Sequence, residues 1–418
     1  MKDFHASQVY MLMSFMTSLA NATMFTTYAI YQVIELGLNP LQLLLVGMVL
    51  EVTVLLFEGI TGVVADTYGR KRSVITGMFV LGFGFVLEGS ALWLGQASPM
   101  ISAFMWLLLS QVFFGVGATF ISGADSAWMV DEVGEDSAGR IFMRARRAGL
   151  FGSLIGIVLS VGISAFWGAN LPYIIGGILY LALGLFLLVY MKETAFVKPD
   201  RKEGGGLSSH WKEMKATWLS GAQVIRSYPA LIMFLIVTLF SGAASEGYDR
   251  LWQAHLIHEI GFPASYSFPT AVWLGIIAVL STLLSLLVMW IVERRIDMSN
   301  QKVVFRTMFL LTAARIVAIV ALAFSPGFEW ALMSVLFFEL IRTMMGPMYE
   351  TWLNLNIESK SRATVLSMMS QTDALGQTGG GPFIGWIGTR FTVRASLVAS
   401  ALLFAPILLV YRRMKDGR

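Results

Sequence analysis

Long apolar runs alternate with short polar breaks along the whole chain. A helix that crosses a bilayer needs about 20 largely apolar residues. Against that length twelve runs stand out: 7–34, 40–65, 72–95, 99–131, 145–167, 170–192, 226–251, 266–292, 302–324, 328–350, 363–388 and 392–411. Backbone groups in hydrocarbon must bond within their own segment, so each run is expected to be a helix. Several exceed the bilayer thickness and should tilt or protrude. The first run starts almost at the N-terminus and is far longer than a signal-peptide core of roughly 7–15 residues. It reads as a retained first span.

The longest polar break covers 193–225 and includes Lys198-Pro199-Asp200-Arg201-Lys202-Glu203 followed by Gly204-Gly205-Gly206. This composition suits a linker with a glycine hinge. It divides the chain into an N-terminal six-helix bundle, 1–192, and a C-terminal six-helix bundle, 226–418. The stretch from His210 to Trp218 could form a short helix on the membrane surface or remain part of the linker.

The two halves carry matching landmarks. Ala127-Trp128-Met129-Val130-Asp131 closes the fourth run and Thr351-Trp352-Leu353-Asn354 the tenth. Acidic residues follow in each case, then Arg140 or Arg362, then a glycine-rich run. Its glycines are Gly149, Gly152 and Gly156 in one half, and Gly376, Gly379, Gly380, Gly381 and Gly385 in the other. An ordered series of this kind points to an internal repeat.

Composition narrows the class. Of 418 residues, 56% are hydrophobic and 13% charged, and mean hydropathy is +0.70. Soluble domains carry about 25% charged residues, so a water-soluble fold and a disordered chain are both excluded. With no cysteine, a disulfide scaffold is excluded too. The 12 Trp, 12 Tyr and 29 Phe suit interfacial belts and a lipid-facing surface. The net charge of +4 reflects basic loops rather than a nucleic-acid surface. Arg70, Lys71, Arg72, Arg140, Arg144, Arg146, Arg147, Arg294, Arg295 and the tail residues Arg412 and Arg413 fall on one set of breaks. The opposite set holds little beyond Arg250, Arg390 and Arg394. By the positive-inside rule both termini are cytoplasmic.

The break after the second run reads Gly62-Val63-Val64-Ala65-Asp66-Thr67-Tyr68-Gly69-Arg70-Lys71-Arg72. Gly69 permits a tight turn, and Gly62 could let two helices approach closely. Asp66, Arg70, Lys71 and Arg72 form a charge cluster. The segment resembles the loop signature of the major facilitator superfamily, Gly-x-x-x-Asp-(Arg/Lys)-x-Gly-(Arg/x)-(Arg/Lys). Gly62, Asp66, Gly69, Arg70 and Lys71 match, while Thr67 departs where the family commonly has a base.

The resemblance implies an all-α membrane protein with twelve transmembrane helices in two six-helix pseudo-repeat bundles. It also implies a secondary transporter that works by alternating access, in a bacterial cytoplasmic membrane. In that family the loop cluster pairs with an acid at the end of the fourth span and with the start of the eleventh. Asp131 is the matching acid. The implied role of Asp66, Gly69, Arg70, Lys71 and Asp131 is a latch that breaks when the cytoplasmic side opens. The plainer alternative is a topological anchor.

Ionisable residues inside apolar runs are costly and are functional candidates by default. The acids are Glu51 and Glu58 in the second run, Glu88 in the third, Asp125 in the fourth, Glu246 and Asp249 in the seventh, Glu339 and Glu350 in the tenth, and Asp373 in the eleventh. The bases are Arg315 in the ninth and Arg342 in the tenth. The acidic excess suits proton binding, a cationic substrate, or both. Glu339 and Arg342 are three apart and can neutralise each other. Glu246 and Asp249 lie near a run end, where water can reach them. The resemblance places spans three, six, nine and twelve outside the central cavity, which assigns Glu88 and Arg315 to packing or capping. Asp125 and Asp373 lie in opposite halves among small residues that leave room for water or ligand. Burial disfavours the charged form of a carboxylate, which suits such a group to trade protons.

Proton-coupled drug exporters of the superfamily usually carry Arg-x-x-x-Gly-x-Gly in the fourth span. Here Gln111 stands at the Arg position, before Gly115 and Gly117. The 24 methionines include Met344, Met345 and Met348 in the tenth run and Met368 and Met369 in the eleventh, and methionine surfaces repack around varied ligands. With tryptophan and carboxylates they suit lipophilic, often cationic, compounds. No Gly-x-x-x-x-Gly-Lys-(Ser/Thr) run or catalytic constellation is found, so neither an enzyme nor a cofactor is expected. His255, His258 and Glu259 lie together, but they suit a hydrated loop better than a metal site.

The sequence thus points to a monomeric transporter with small-molecule substrate, protons and the lipid bilayer as its partners, and to proton-coupled export of amphipathic or cationic small molecules. The alternatives are uptake or export of a specific metabolite, lipid or siderophore, and a non-transporting receptor or scaffold.

Overall fold

A computed structural model describes residues 4–98, 100–196, 229–295, 301–356 and 362–415. The expected linker beyond residue 196 and the stretch His210–Trp218 lie outside the described residues, as do the side chains of Glu350 and Arg362. Every regular element among the described residues is a helix.

The first expected span is α1 (Ala6–Phe25), then a break and a π-helical turn over Ile30–Glu35. Helix α2 (Pro40–Tyr68) opens on Pro40, which suits a first turn because its missing N–H has no intrahelical partner there. Asn39 and Gln42 cap it reciprocally: Gln42 N–H donates to Asn39 Oδ1 at 2.9 Å and Asn39 N–H to Gln42 Oε1 at 3.0 Å. Helix α3 (Arg70–Ala97) follows after the single residue Gly69, whose φ of 104° only glycine adopts readily. The fourth span is broken into α4 (Ala103–Ile121) and α5 (Ala124–Val133) at Gly123, φ 71°. Then come α6 (Glu135–Phe166) and α7 (Leu171–Tyr190).

The second half comprises α8 (Pro229–His255) with a π turn at Leu256–Ile260, α9 (Thr270–Arg295), α10 (Gln301–Ala323), α11 (Phe328–Asn356) and α12 (Arg362–Arg390). It closes with α13 (Val393–Leu403) and α14 (Ala405–Lys415). Among the described residues nine helical stretches are long and apolar enough to cross a membrane. Helices α1, α11 and α12 are not among them. Each carries polar residues that line a cavity, which lowers its hydropathy. Outward side chains such as Phe151, Val158, Trp330 and Leu409 are about two-thirds exposed. So many large bare apolar groups on apolar helices suit lipid rather than water.

The chain divides into two compact units. One comprises Met1–Leu38, Val52–Gly206 and Phe268–Gly275. The other comprises Asn39–Glu51, Leu207–Ser267 and Ile276–Arg418. In the first unit, Gly149, Gly152 and Gly156 of α6 rest on Ser14, Phe15 and Leu19 of α1. A Cβ on Gly152 would press into the Phe15 carbonyl oxygen. In the second unit, Gly376 and Gly380 of α12 rest on the backbone of Leu239 and Ala243 in α8. The first and fifth helices of each half thus meet through glycine, as small residues allow. Among the described residues of its own unit, a Cβ on Gly62 would meet nothing within 4 Å.

Candidate functional site

In each unit, a cavity among the described residues is lined by one of the two singled-out acids. In the first unit a cavity of about 390 Å³ is lined by Asp125 together with Tyr10, Ser14, Thr17, Asn21, Phe25, Met78, Phe114 and Tyr180. Asp125 owes its place to the break at Gly123, which restarts the helix with the carboxylate in the first turn of α5. There it accepts a 2.6 Å bond from the Ser126 N–H and faces the positive end of the helix. Tyr180 donates to Asn21 Oδ1 at 2.8 Å across the cavity wall. Ser14, Thr17 and Asn21 recur at three- and four-residue spacing, a polar stripe that the apolar run of α1 already displays.

In the second unit a cavity of about 440 Å³ is lined by Asp373, Arg315, Arg342, Thr238, Met345, Tyr349, Met369, Phe404 and Tyr411. Asp373 Oδ2 accepts a 2.8 Å bond from Gln377, one turn along α12. A Cβ on Gly242 would collide with the Asp373 carbonyl oxygen, so α8 meets α12 backbone to backbone beside the acid. Met345 and Met369 come from the methionine-bearing runs and form part of this wall.

Several candidates sit otherwise than the sequence suggests. Arg315 does not lie apart from a cavity: it lines this one, buried to 8% exposure, with its guanidinium carbon 5.1 Å from the Phe338 ring centre and 4.5 Å from that of Phe404. Glu246 is not wet. It is 5% exposed, accepts a 3.0 Å bond from Arg250, and packs where a Cβ on Gly47 of α2 would stand. Arg342 pairs first with Asp249 across to α8, at 2.8 Å, and lies 3.9 Å from Glu339. The neutralising partner is thus on another helix as well as on its own. His255 is fully buried against the Leu322 carbonyl oxygen, 3.1 Å away, rather than in a hydrated loop. Among the described residues no group of three His, Cys, Asp or Glu could hold a metal ion.

Glu88 is buried, and its carboxylate accepts from Gln32 at 3.2 Å and from Gln111 at 3.0 Å. Glu51 and Glu58 are half-buried along α2 and line neither cavity.

At the α2–α3 junction, Arg70 forms an ion pair with Asp131 at the end of α5. Lys71 donates its backbone N–H to Glu193 at 3.1 Å and its ammonium lies 3.5 Å from the Leu188 carbonyl oxygen. A Cβ on Gly69 would collide with the Glu193 carboxylate, so glycine serves both the turn and that acid. Asp66 is exposed and stands outside the Arg70–Asp131 pair. The sequence reading missed the segment after α7, which is strapped onto this cluster. Trp128 donates to the Lys192 carbonyl oxygen at 2.8 Å, and Glu132 accepts from the Thr194 hydroxyl at 2.6 Å and from the Ala195 N–H at 2.9 Å.

A family model described as Major Facilitator Superfamily matches residues 10–380. The chain is 24% identical over 384 residues to YxaM of Bacillus subtilis (strain 168), an uncharacterized MFS-type transporter, covering 90% of this chain and 89% of that one. It is also 24% identical over 400 residues to the multidrug resistance protein MdtH of Blochmanniella pennsylvanica (strain BPEN), covering 94% and 88%. Among solved structures it superposes on the nucleoside transporter NupG (D323A mutant) with a TM-score of 0.75 at 15% identity, covering 98% of this chain and 100% of that one. A bacterial homologue of the human lysosomal transporter Spinster gives 0.72 at 14% identity, covering 98% and 96%. These likenesses carry the fold.

Proposed function

Because the chain belongs to the major facilitator superfamily, and is therefore a membrane transporter and not an enzyme, we propose that it exports amphipathic or cationic small molecules in exchange for protons. In this reading twelve transmembrane helices form two six-helix bundles, 1–192 and 226–418, joined by a cytoplasmic linker, 193–225. The bundles alternate access within a bacterial cytoplasmic membrane, with both termini inside and the chain acting as a monomer.

The observation that carries the reading is the pair of cavities, each walled by apolar or aromatic side chains and each holding one membrane carboxylate, Asp125 or Asp373. A carboxylate in such a place can hold either a proton or a cationic cargo. The two compete, and that competition is the elementary step of an antiporter. The relative MdtH is a multidrug resistance protein by name, which favours export. In this account Asp66, Gly69, Arg70, Lys71 and Asp131 form the latch, with Arg70 paired to Asp131, and it breaks when the cytoplasmic side opens.

The test is transport of lipophilic cations into liposomes with and without an imposed pH gradient, for wild type, Asp125→Asn and Asp373→Asn. Gradient-driven movement that either variant abolishes assigns the proton to that carboxylate. Gradient-driven movement unchanged in both variants removes these acids from the mechanism. Absence of any movement sinks the multidrug reading.

A further inference from the structure

We propose that the cavity of the second unit seats the anionic group of the cargo against Arg315, so that the molecules bound there are amphipaths with an acidic head on an apolar body. This rests on the transporter reading above, keeps its amphipathic cargo and replaces the cationic one in this cavity, where Asp373 is then left to the proton.

The guanidinium of Arg315 stays charged under all ordinary conditions. At 8% exposure it is buried in the middle of α10. A buried charge is normally paired, because desolvation penalises it otherwise. Here Nε has no hydrogen-bond partner among the described residues. Arg342 is held by Asp249 and Glu339, while Asp373, in the same lining, is bonded by the neutral amide of Gln377.

What Arg315 does meet is the two aromatic rings of Phe338 and Phe404. Aromatic faces steady a guanidinium through its π surface and leave its in-plane N–H donors unspent. An arginine that merely braced α10 would be expected to spend those donors on a carbonyl or carboxylate. Instead the group lines a cavity of about 440 Å³, a volume suited to a small organic ligand.

The rest of the lining defines the other end of that ligand. Met345, Leu366, Met369, Phe404 and Ile407 offer an apolar, deformable wall. An inorganic anion would leave that wall empty, and a purely cationic ligand would leave the donors of Arg315 unspent. A carboxylate on an apolar body satisfies both ends, since a guanidinium fork matches a carboxylate with two parallel hydrogen bonds.

The experiment uses the full chain in nanodiscs of phosphatidylcholine alone, so that no anionic lipid competes. Binding of radiolabelled 1-naphthaleneacetate is measured, with unlabelled 1-naphthaleneacetamide and inorganic phosphate as competitors. The acid is expected to bind about tenfold or more tightly than its amide, which has the same apolar body, and phosphate at equal concentration should not displace it. Arg315→Gln should bring the acid-to-amide ratio near one. Arg315→Lys, which keeps the charge and loses the fork, should leave an intermediate ratio.

A wild-type ratio near one overturns the proposal, and so does a ratio unchanged in both variants. If Arg315→Gln does not fold, the wild-type ratio and the lysine variant decide. Displacement by phosphate as effective as by the acid overturns the amphipath assignment. Acid preference without proton-driven movement of cations in liposomes would sink the antiport reading and leave this one standing. Cation transport with no acid preference would do the reverse.

Discussion

The side-chain amide of Gln111 donates to Glu88 Oε2 at 3.0 Å, deep in the first unit where Glu88 is only 2% exposed. Gln32 donates to the other oxygen at 3.2 Å, and the Tyr31 hydroxyl donates to the Glu88 carbonyl oxygen at 2.9 Å. One acid thus ties α3 to α4 and to the π turn after α1. The position where the exporter signature places arginine is occupied by an amide whose role is to satisfy this carboxylate. Gln111→Leu removes one donor and is expected to cost about 1–3 kcal/mol, the desolvation of a buried group left short of a partner. Thermal unfolding in detergent reads this as a lowered Tm. Glu88→Gln keeps one acceptor, for Gln111, and its amide can donate to the Gln32 Oε1 once that side chain flips, so it should unfold nearer the wild-type temperature than Gln111→Leu. Equal stability of Gln111→Leu and wild type would mean that the amide does not hold the acid.

The glycine contacts separate close packing from mere helix composition. A methyl on Gly152 would enter the Phe15 carbonyl, and one on Gly380 would meet the backbone of Ala243. Gly152→Ala and Gly380→Ala are expected to destabilise by about 1–3 kcal/mol, the usual cost of overpacking. At Gly162 and Gly379 an added Cβ meets nothing within 4 Å. There alanine should be neutral or stabilising by up to about 1 kcal/mol, because it is the better helix former. Opposite signs at Gly379 and Gly380, adjacent in one helix, are the discriminating result in a Tm measurement.

The helices were legible where hydrophobicity alone decides them. The runs 40–65 and 72–95 become Pro40–Tyr68 and Arg70–Ala97 because lipid forces the backbone to bond within each run. Asp125 and Asp373 stand out in the sequence as acids inside apolar runs among small residues, and each lines a cavity. What the sequence could not supply is which side of a helix faces inward. The resemblance assigns Arg315 to packing or capping by placing its helix outside the central cavity, whereas the guanidinium lines the cavity of its own unit. The position of Glu246 near a run end predicts access to water, whereas the α2 segment around Gly47 covers it. The π turns at Ile30–Glu35 and Leu256–Ile260 left no compositional mark.

The latch role proposed for the Arg70–Asp131 pair makes an ordering prediction. Arg70 and Asp131 have side chains 26% and 39% exposed, so their pair contributes at most about 1 kcal/mol to stability. Arg70→Ala and Asp131→Asn should therefore reduce transport in liposomes with little change in Tm. Asp66 stands outside the pair, so Asp66→Asn should reduce transport less than either. Exchanging the charges, Arg70→Asp with Asp131→Arg, should recover part of the activity lost in each single change. A loss from Asp66→Asn larger than from Asp131→Asn would move the latch away from the pair.

Glu246 depends on the absence of a side chain at Gly47. The carboxylate occupies the place a Cβ on Gly47 would take, while Arg250 holds it from one turn along α8. Gly47→Ala must displace the carboxylate from that seat and loosen its bond to Arg250. A buried acid with a weakened partner is destabilising by several kcal/mol at most, so a clear fall in Tm is expected. Glu246→Ala frees the space that the added methyl needs. In Gly47→Ala with Glu246→Ala the glycine change should then cost far less than it does alone, a coupling on the order of 1 kcal/mol or more. Strict additivity of the two changes would show that Gly47 is required by the helix backbone itself and not by the acid beside it.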